Sequence, residues 1–373
     1  MLILASILVS LGIGSIYAWS IMISSIIEMT SFPLSTVQLC FSLIIFALGT
    51  TTFLLPKFLV KIGPRKTILL GSFLFAVGMV SIGLSILYKS LFIYISALIL
   101  GTGVGIIYVT PAPILLRIYK KHKALITSIP VLSFGTGSLI FVPLYTMFDN
   151  VSNALIYLGL IYGVIMMLVA FIFPKQLSNI ADVKNEEGLT RKEALHNKTF
   201  YIVFIIMFIN IFVGISLISI TAPLATFFNI ENAALVVATV GLANGLGRPF
   251  WASIADRIGY VNIYSLILFL QLIIISILII GMYMNILFNI MIPLCLLISM
   301  YGAGFACLPA LTQSLYGIKD FSAIFGTLLF SWALAGLIGP MIIAYLVPNY
   351  EIILIIFDIL LIIALRLSLK IKK

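Results

Sequence analysis

The sequence contains very little charge for its length. Only 9% of its 373 residues are Asp, Glu, Lys or Arg, whereas 63% are hydrophobic. Soluble domains are about a quarter charged and about half apolar, so this composition excludes a water-soluble fold. Polar stretches between the apolar runs are short, which leaves no room for a soluble domain of useful size.

Histidine and cysteine are scarce as well, with two and three residues respectively. Cys40, Cys295 and Cys307 stand singly in apolar segments, with neither metal-ligand spacing nor a disulfide framework. His122 and His196 lie in polar connections, with no grouping of nucleophile, base and acid. Nothing resembles the repeated filter or the ring of charge that a channel would use. The sequence therefore predicts no enzyme, no metal and no cofactor.

Long apolar runs fill most of the chain. A helix that crosses a bilayer needs about 20 mostly apolar residues. The first run, from Leu2 to Ile27, is longer than the apolar core of a signal peptide and has no basic segment before it, which favours a transmembrane helix. We predict an all-α polytopic membrane protein with twelve spans, at 2–27, 35–56, 67–88, 91–117, 124–147, 152–173, 200–228, 233–255, 261–284, 286–315, 321–347 and 351–369.

One long polar stretch, Lys175 to Lys198, separates the sixth span from the seventh. It predicts an N-terminal six-helix bundle at 1–174, a cytoplasmic linker at 175–199 and a C-terminal six-helix bundle at 200–373. The two halves also share a short pattern after their second helix, Lys-Ile-Gly at 61–63 and Arg-Ile-Gly at 257–259. This repetition indicates a duplicated architecture of the kind found in transporters.

The net charge of +10 could indicate a nucleic-acid partner, but its distribution argues against one. Except for Lys89 and Arg248, every Lys and Arg lies in the even-numbered connections, the linker or the C-terminal tail. The positive-inside rule then predicts cytoplasmic termini and a cytoplasmic linker. We expect the lipid bilayer of the plasma (cell) membrane as the environment, no nucleic acid as partner, and a monomer.

Arg248 is the one basic residue deep inside a predicted span, since Arg117 and Arg366 lie at or near the ends of theirs. A charge at the centre of a membrane helix costs about 2.5–3.5 kcal/mol, so Arg248 should face a cavity or a partner. The inward-lining spans offer no carboxylate, and Asp358 lies on the last helix with an open role. An anionic substrate could supply the missing charge. Alternatively, Arg248 extends to the cytoplasmic edge or pairs with carbonyl groups at a helix end.

Four segments show a family resemblance: Asn244–Gly259, Gly14–Ser20, Gly101–Tyr108 and Tyr301–Gly317. They resemble the eighth, first, fourth and tenth helices of oxalate/formate antiporters and monocarboxylate transporters, a branch of the major facilitator superfamily. The resemblance implies two six-helix bundles around a central pathway. Three departures stand out: Val60 replaces an aspartate of the family loop motif, the segment 321–347 contains no lysine, and the first helix lacks the lysine of proton-coupled animal monocarboxylate carriers. The second departure argues against a dicarboxylate as substrate.

Helical spacing and this resemblance together predict two groups of functional residues. The substrate-binding group is Arg248, Asn244, Tyr17, Tyr108, Trp19, Trp251, Tyr301 and Trp332. The gating group is Asp256, Arg257 and Gly259 in the second half, with Lys61, Gly63 and Arg65 in the first.

The predicted function is secondary active or facilitative transport of a small organic anion, a monocarboxylate, by alternating access with Arg248 as anion clamp. Whether protons or a counter-anion couple to transport stays open. Two alternatives also stay open: an exporter of other small or lipophilic compounds, and a non-transporting membrane sensor on the same fold.

Overall fold

The computed structural model describes residues 1–54, 62–118, 123–176, 188–284, 290–317 and 319–371. This part of the chain is almost wholly helical. Its α-helices are α1 Leu2–Gly14, α2 Trp19–Thr30, α3 Leu34–Leu54, α4 Pro64–Leu87, α5 Ile93–Val109, α6 Pro111–Ile118, α7 Lys123–Gly135, α8 Gly137–Tyr145, α9 Val151–Ala170, α10 Arg191–His196, α11 Lys198–Phe227, α12 Ala233–Ile258, α13 Tyr260–Tyr283, α14 Met291–Tyr316, α15 Phe321–Leu346 and α16 Tyr350–Ser368.

Three crossings are each made of two helices. A 3-10 turn at Ser15–Ala18 joins α1 to α2, while α5 meets α6 at Thr110 and α7 meets α8 at Thr136. Proline at 111 accounts for the second interruption, because it has no N–H group to donate to the Ile107 carbonyl, while Thr110 itself keeps helical dihedral angles, φ −79° and ψ −44°. With these pairs counted once and the short α10 set aside, the described helices make twelve crossings. The predicted all-α fold of twelve transmembrane helices is confirmed.

Length and composition agree with this count. Nine helices among the described residues are long and apolar enough to cross a membrane, counting Leu2–Thr30 as one. Two shorter apolar helices, Ile93–Val109 and Ile129–Tyr145, belong to interrupted crossings. The last crossing, α16, is not among these nine because it contains three charged residues, Glu351, Asp358 and Arg366. The chain is therefore a multi-pass membrane protein.

Six crossings precede α10 and six follow it, and the two bundles meet along two seams. In one seam α3 packs against α15, where a Cβ added to Gly49 would lie 2.6 Å from the Ala333 nitrogen. In the other seam α7 and α8 pack against α12, where a Cβ on Gly135 would lie 2.7 Å from the Gly245 Cα. Only glycine permits backbones to approach this closely. The exact division at 1–174, 175–199 and 200–373 stays a prediction.

The repeated loop pattern has a repeated backbone conformation. Gly63 has φ 83° and ψ 154°, and Gly259 has φ 94° and ψ 148°. These positive φ values favour glycine strongly. Each glycine carbonyl accepts a hydrogen bond from the residue four positions on, at 3.1 Å in both loops. The similarity between the halves is therefore structural as well as sequential. Lys61, the third member of the first-half gating group, lies outside the described residues.

Arg65 closes the end of α9. Its Nε donates to the Phe173 carbonyl at 3.1 Å and its Nη2 donates to the Phe171 carbonyl at 2.8 Å. Phe171 and Phe173 follow the last residue of α9, Ala170, so their carbonyls have no partner within the helix and the basic side chain stabilises the turn at its end. These bonds lie within the N-terminal bundle, and a gating role for Arg65 stays a prediction.

The linker helix α10 contacts both bundles. It begins with a capping box in which Thr190 and Glu193 bond each other's backbone nitrogens at 3.3 and 2.7 Å. The bond from the Thr190 backbone lowers the pKa of Glu193, so the cap is present at neutral pH and is lost as pH falls through that lowered pKa. The Arg191 backbone nitrogen donates to Asp320 at 2.9 Å, while its guanidinium lies 5.3 Å from the Phe53 ring.

Candidate functional site

Arg248 lies on α12 and is only 1% exposed. Its Nη1 donates to the backbone carbonyl of Val131 on α7 at 2.7 Å, across the seam between the bundles. The guanidinium carbon is 5.6 Å from the ring centroid of Phe134 and 5.7 Å from that of Phe305. These are cation–π distances, and such contacts strengthen when water is excluded. A ring from each bundle therefore holds the charge in place.

Two nitrogens of the same guanidinium remain available. In the part of the chain that the structure describes, Nε and Nη2 of Arg248 have no hydrogen-bond partner. These two nitrogens form one edge of the planar group, and that edge matches the two oxygens of a carboxylate. A buried charge is costly unless it is paired. The carbonyl of Val131 accounts for one nitrogen, and the free edge is suited to an anion.

Further aromatic rings pack against the two that contact Arg248. The ring of Tyr108 lies 5.0 Å from that of Phe134 and 5.3 Å from that of Trp332. The rings of Phe305 and Trp332 are 4.6 Å apart. The indole nitrogen of Trp332 is buried and has no partner within the described residues. The rings form a compact apolar wall, in which the indole N–H of Trp332 is a hydrogen-bond donor without a partner.

Polar groups also lie near Arg248. The hydroxyl groups of Tyr17 and Tyr301, one from each bundle, are 3.2 Å apart. The hydroxyl groups of Tyr17 and Tyr108 both approach the Arg248 guanidinium and interact with its charge, although neither makes a hydrogen bond of good geometry with Nε or Nη2. Asn244, one helical turn before Arg248, is buried, and neither of its amide atoms has a partner among the described residues.

A small cavity adjoins these polar groups and is lined by Tyr17 and Asn244. Its volume of about 10 Å³ would hold roughly one water molecule. The structure thus brings six of the predicted binding residues and two unpredicted phenylalanines into one group. We call this group the Arg248 cluster, and its members are Arg248, Asn244, Tyr17, Tyr108, Tyr301, Trp332, Phe134 and Phe305.

Two predicted binding residues have contacts elsewhere. The indole nitrogen of Trp251 donates to the Ser299 hydroxyl on α14 at 3.1 Å. The ring of Trp19 stacks on Phe41 within the N-terminal bundle, with centroids 6.1 Å apart. Neither contact involves the Arg248 cluster.

Phe134, Phe305 and the Val131 carbonyl were not predicted from the sequence. Phe305 could have been found, because it follows Tyr301 by four positions on one helix face in a segment that carries the family resemblance. Phe134 had only a weak signal, its position beside Gly135 in a span. A backbone carbonyl leaves no signal in a sequence.

The second-half gating residues lie at the end of α12. Asp256 and Arg257 are both exposed. Asp256 accepts a hydrogen bond from the Tyr260 hydroxyl at 2.8 Å, and Tyr260 belongs to the same bundle. Gly259 ends α12 and begins α13. Because these contacts are local, the gating role of this group stays a prediction.

Comparison with known proteins shows two relatives with carboxylates in their names. The oxalate:formate antiporter of Oxalobacter formigenes is 26% identical over 274 residues, which cover 71% of this chain and 65% of the antiporter's own length. The Apicoplast pyruvate carrier 1 of Toxoplasma gondii is 34% identical over 91 residues, or 24% of this chain and 16% of the carrier.

The fold also matches a solved transporter structure. A partially occluded inward-open conformation of the xylose transporter XylE from E. coli has a TM-score of 0.78 at 12% identity, covering 100% of this chain and 99% of that one. At this identity the likeness shows the fold alone. The model of the Major Facilitator Superfamily matches residues 2–340. The chain therefore belongs to the major facilitator superfamily of membrane transporters.

Proposed function

We propose that this transporter carries a small organic anion, a monocarboxylate, and that Arg248 binds its carboxylate group. The observation that carries the proposal is the free edge of Arg248, where Nε and Nη2 of a buried guanidinium have no partner among the described residues. A carboxylate would accept two parallel hydrogen bonds there and would neutralise the charge. The names of the two relatives agree with an anion of this class.

The surroundings of Arg248 favour a short anion with one charge. Tyr108, Phe134, Phe305 and Trp332 form an apolar wall that would pack against a few carbon atoms. The segment 321–347 has no lysine that could bind a second carboxylate. An exporter of lipophilic cations would instead require a buried carboxylate, and the Arg248 cluster contains a cation.

The seams suggest how binding is linked to movement. Arg248 belongs to the C-terminal bundle, and it bonds Val131 and faces Phe134 in the N-terminal bundle. An anion on its free edge would lower the cost of enclosing the guanidinium between the bundles. In this proposal the bundles rock about the cluster, while the linker and both termini lie on the cytoplasmic side of the cell membrane, as the distribution of basic residues indicates.

The test is uptake into liposomes that contain the purified protein. We expect saturable uptake of at least one labelled monocarboxylate among formate, acetate, lactate and pyruvate, with weaker uptake of oxalate. Acetamide is the matched neutral control and should enter no faster than into empty liposomes. Preloading with the same anion, or imposing a pH gradient, distinguishes exchange from proton coupling. Saturable uptake of only neutral or cationic compounds would exclude the anion proposal.

The two tryptophans provide a matched pair of variants. Trp332→Phe removes the unused indole donor of the Arg248 cluster and is expected to raise the KM for the anion about fivefold, the usual contribution of one hydrogen bond. Trp251→Phe makes the same chemical change at a residue that bonds Ser299, and KM should stay within about twofold. Initial rates of uptake over a range of anion concentrations give the KM of each variant. Equal effects of both variants would remove Trp332 from the proposed site.

A further inference from the structure

Helix α11 contains a proline whose missing hydrogen bond is replaced by the other bundle. Pro223 has no N–H group, so it cannot donate to the carbonyl four residues earlier, which belongs to Ser219. That carbonyl accepts a hydrogen bond from Gln38 Nε2 at 3.0 Å. Gln38 lies on α3 in the N-terminal bundle, and both Gln38 and Ser219 are fully buried. One bundle thus completes the hydrogen bonding of a helix in the other.

This contact lies between the Arg248 cluster and the end of the molecule opposite the linker. Ser219 is eight residues before Phe227, where α11 ends, or about 12 Å along the helix axis. Ile218 and Thr221, close to Ser219 in the chain, line the small cavity that Asn244 and Tyr17 also line. Gln38 lies in the second turn of α3, which begins at that same end.

We propose that Gln38 is a gating residue, which holds the pathway closed at the end opposite the linker through its bond to the Ser219 carbonyl. A carbonyl buried at membrane depth needs a partner. While the bundles are together, Gln38 is that partner. When they separate at this end, the bond breaks and water entering the pathway takes its place. Pro223 makes the Ser219 carbonyl depend on the position of the other bundle.

The proposal rests on the alternating-access part of the proposed function and is independent of the anion clamp. It also gives a reason for a buried amide that is only partly bonded, since Gln38 Oε1 has no partner within the described residues. If the contact between these helices never opened, an apolar side chain at this position would avoid the cost of burying an unpaired amide oxygen.

The test measures opening directly and requires no substrate. Spin labels are placed at Asp149→Cys and Glu231→Cys, two exposed residues in connections at the end opposite the linker, one in each bundle. The background replaces Cys40, Cys295 and Cys307 with alanine. The measured quantity is the ratio of the population with a long label-to-label distance to the population with a short one. We expect Gln38→Leu to raise this population ratio about fivefold, equivalent to one lost hydrogen bond. Gln271→Leu is the matched control, because Gln271 is equally buried but lies on α13, and it should leave the ratio unchanged.

A double-mutant cycle tests the role of the proline. Pro223→Ala restores an N–H group that can bond Ser219 within α11, so Gln38→Leu in that background should change the ratio less than twofold. An unchanged ratio in Gln38→Leu alone, or the same shift in both backgrounds, would overturn the proposal. Hydrogen exchange of segment 216–227, in protein with its native cysteines, gives a second readout if the labelled background does not fold. A failure of the anion proposal would appear only in the uptake assay.

Discussion

Replacing Arg248 with lysine is expected to lower kcat/KM for anion uptake roughly hundredfold, although the positive charge is kept. Lysine carries a compact, strongly hydrated ammonium that cannot present two parallel donors to a carboxylate. It also cannot bond the Val131 carbonyl while an anion occupies a separate edge. The loss of one charge-assisted bond with its geometry corresponds to about 3 kcal/mol.

Arg248→Ala should lose more, roughly a thousandfold, because truncating one partner of a buried charge pair costs about 2–5 kcal/mol. Arg366→Lys is the matched control, since Arg366 is exposed in the last turn of α16 and belongs to neither the binding group nor the gating group. Initial rates of uptake in liposomes, with detergent-solubilised stability as a check on folding, provide the measurement. If Arg248→Ala transports the anion normally, the anion clamp is wrong; if only Arg248→Lys does, a point charge suffices and two-point binding is wrong.

Adding a single methyl group at Gly135 is expected to reduce transport by about tenfold or more. In the structure its Cβ would lie 2.7 Å from the Gly245 Cα and 2.8 Å from the Gly245 nitrogen. These are backbone atoms, so the contact can be relieved only by moving α7 and α12 apart. Overpacking of this kind typically costs about 1–3 kcal/mol, and here that cost falls on the state in which the bundles enclose Arg248.

Gly326→Ala is the control for this variant, because its Cβ would lie 3.8 Å from the Phe53 oxygen on the other seam, an ordinary contact distance. Its uptake should match that of the unaltered protein. The comparison uses the same assay with equal amounts of folded protein. Normal transport by Gly135→Ala would show that this close approach is not needed during the cycle.

The sequence allowed the fold to be predicted because the physical signals were long and repeated. Twelve apolar runs fixed the number of crossings, and the Lys-Ile-Gly and Arg-Ile-Gly patterns marked two equivalent loops, in which Gly63 and Gly259 have almost the same φ and ψ. The interruptions at Thr110 and Thr136 were not predicted, because apolar composition continues through both, although Pro111 was a sequence signal for the first of them. The composition of a segment indicates whether it lies in lipid or in water, but it gives little indication of a local interruption in the helix.

The Arg248 cluster was predictable only in part, for a related reason. A charge inside an apolar span is costly, so Arg248 was evident from the sequence. Its cation–π partners were not, because Phe134 and Phe305 are two of 27 phenylalanines in an apolar chain. Helical spacing placed Trp251 on the face of Arg248, but the indole instead bonds Ser299 on α14. Spacing gives the face of one helix, whereas the partner depends on how several helices pack.

The bond from Arg248 to the Val131 carbonyl has a consequence for genetic studies of this protein. Its acceptor belongs to the main chain, so every amino acid placed at position 131 supplies the same oxygen. A mutational scan would therefore report Arg248 as sensitive while position 131 tolerated any side chain that fits. No second-site substitution could restore a lost partner, and no pair of positions would vary together to reveal the contact. Neither a mutational scan nor a comparison of related sequences would therefore detect this interaction across the seam between the bundles, although every variant retains the backbone carbonyl that makes it.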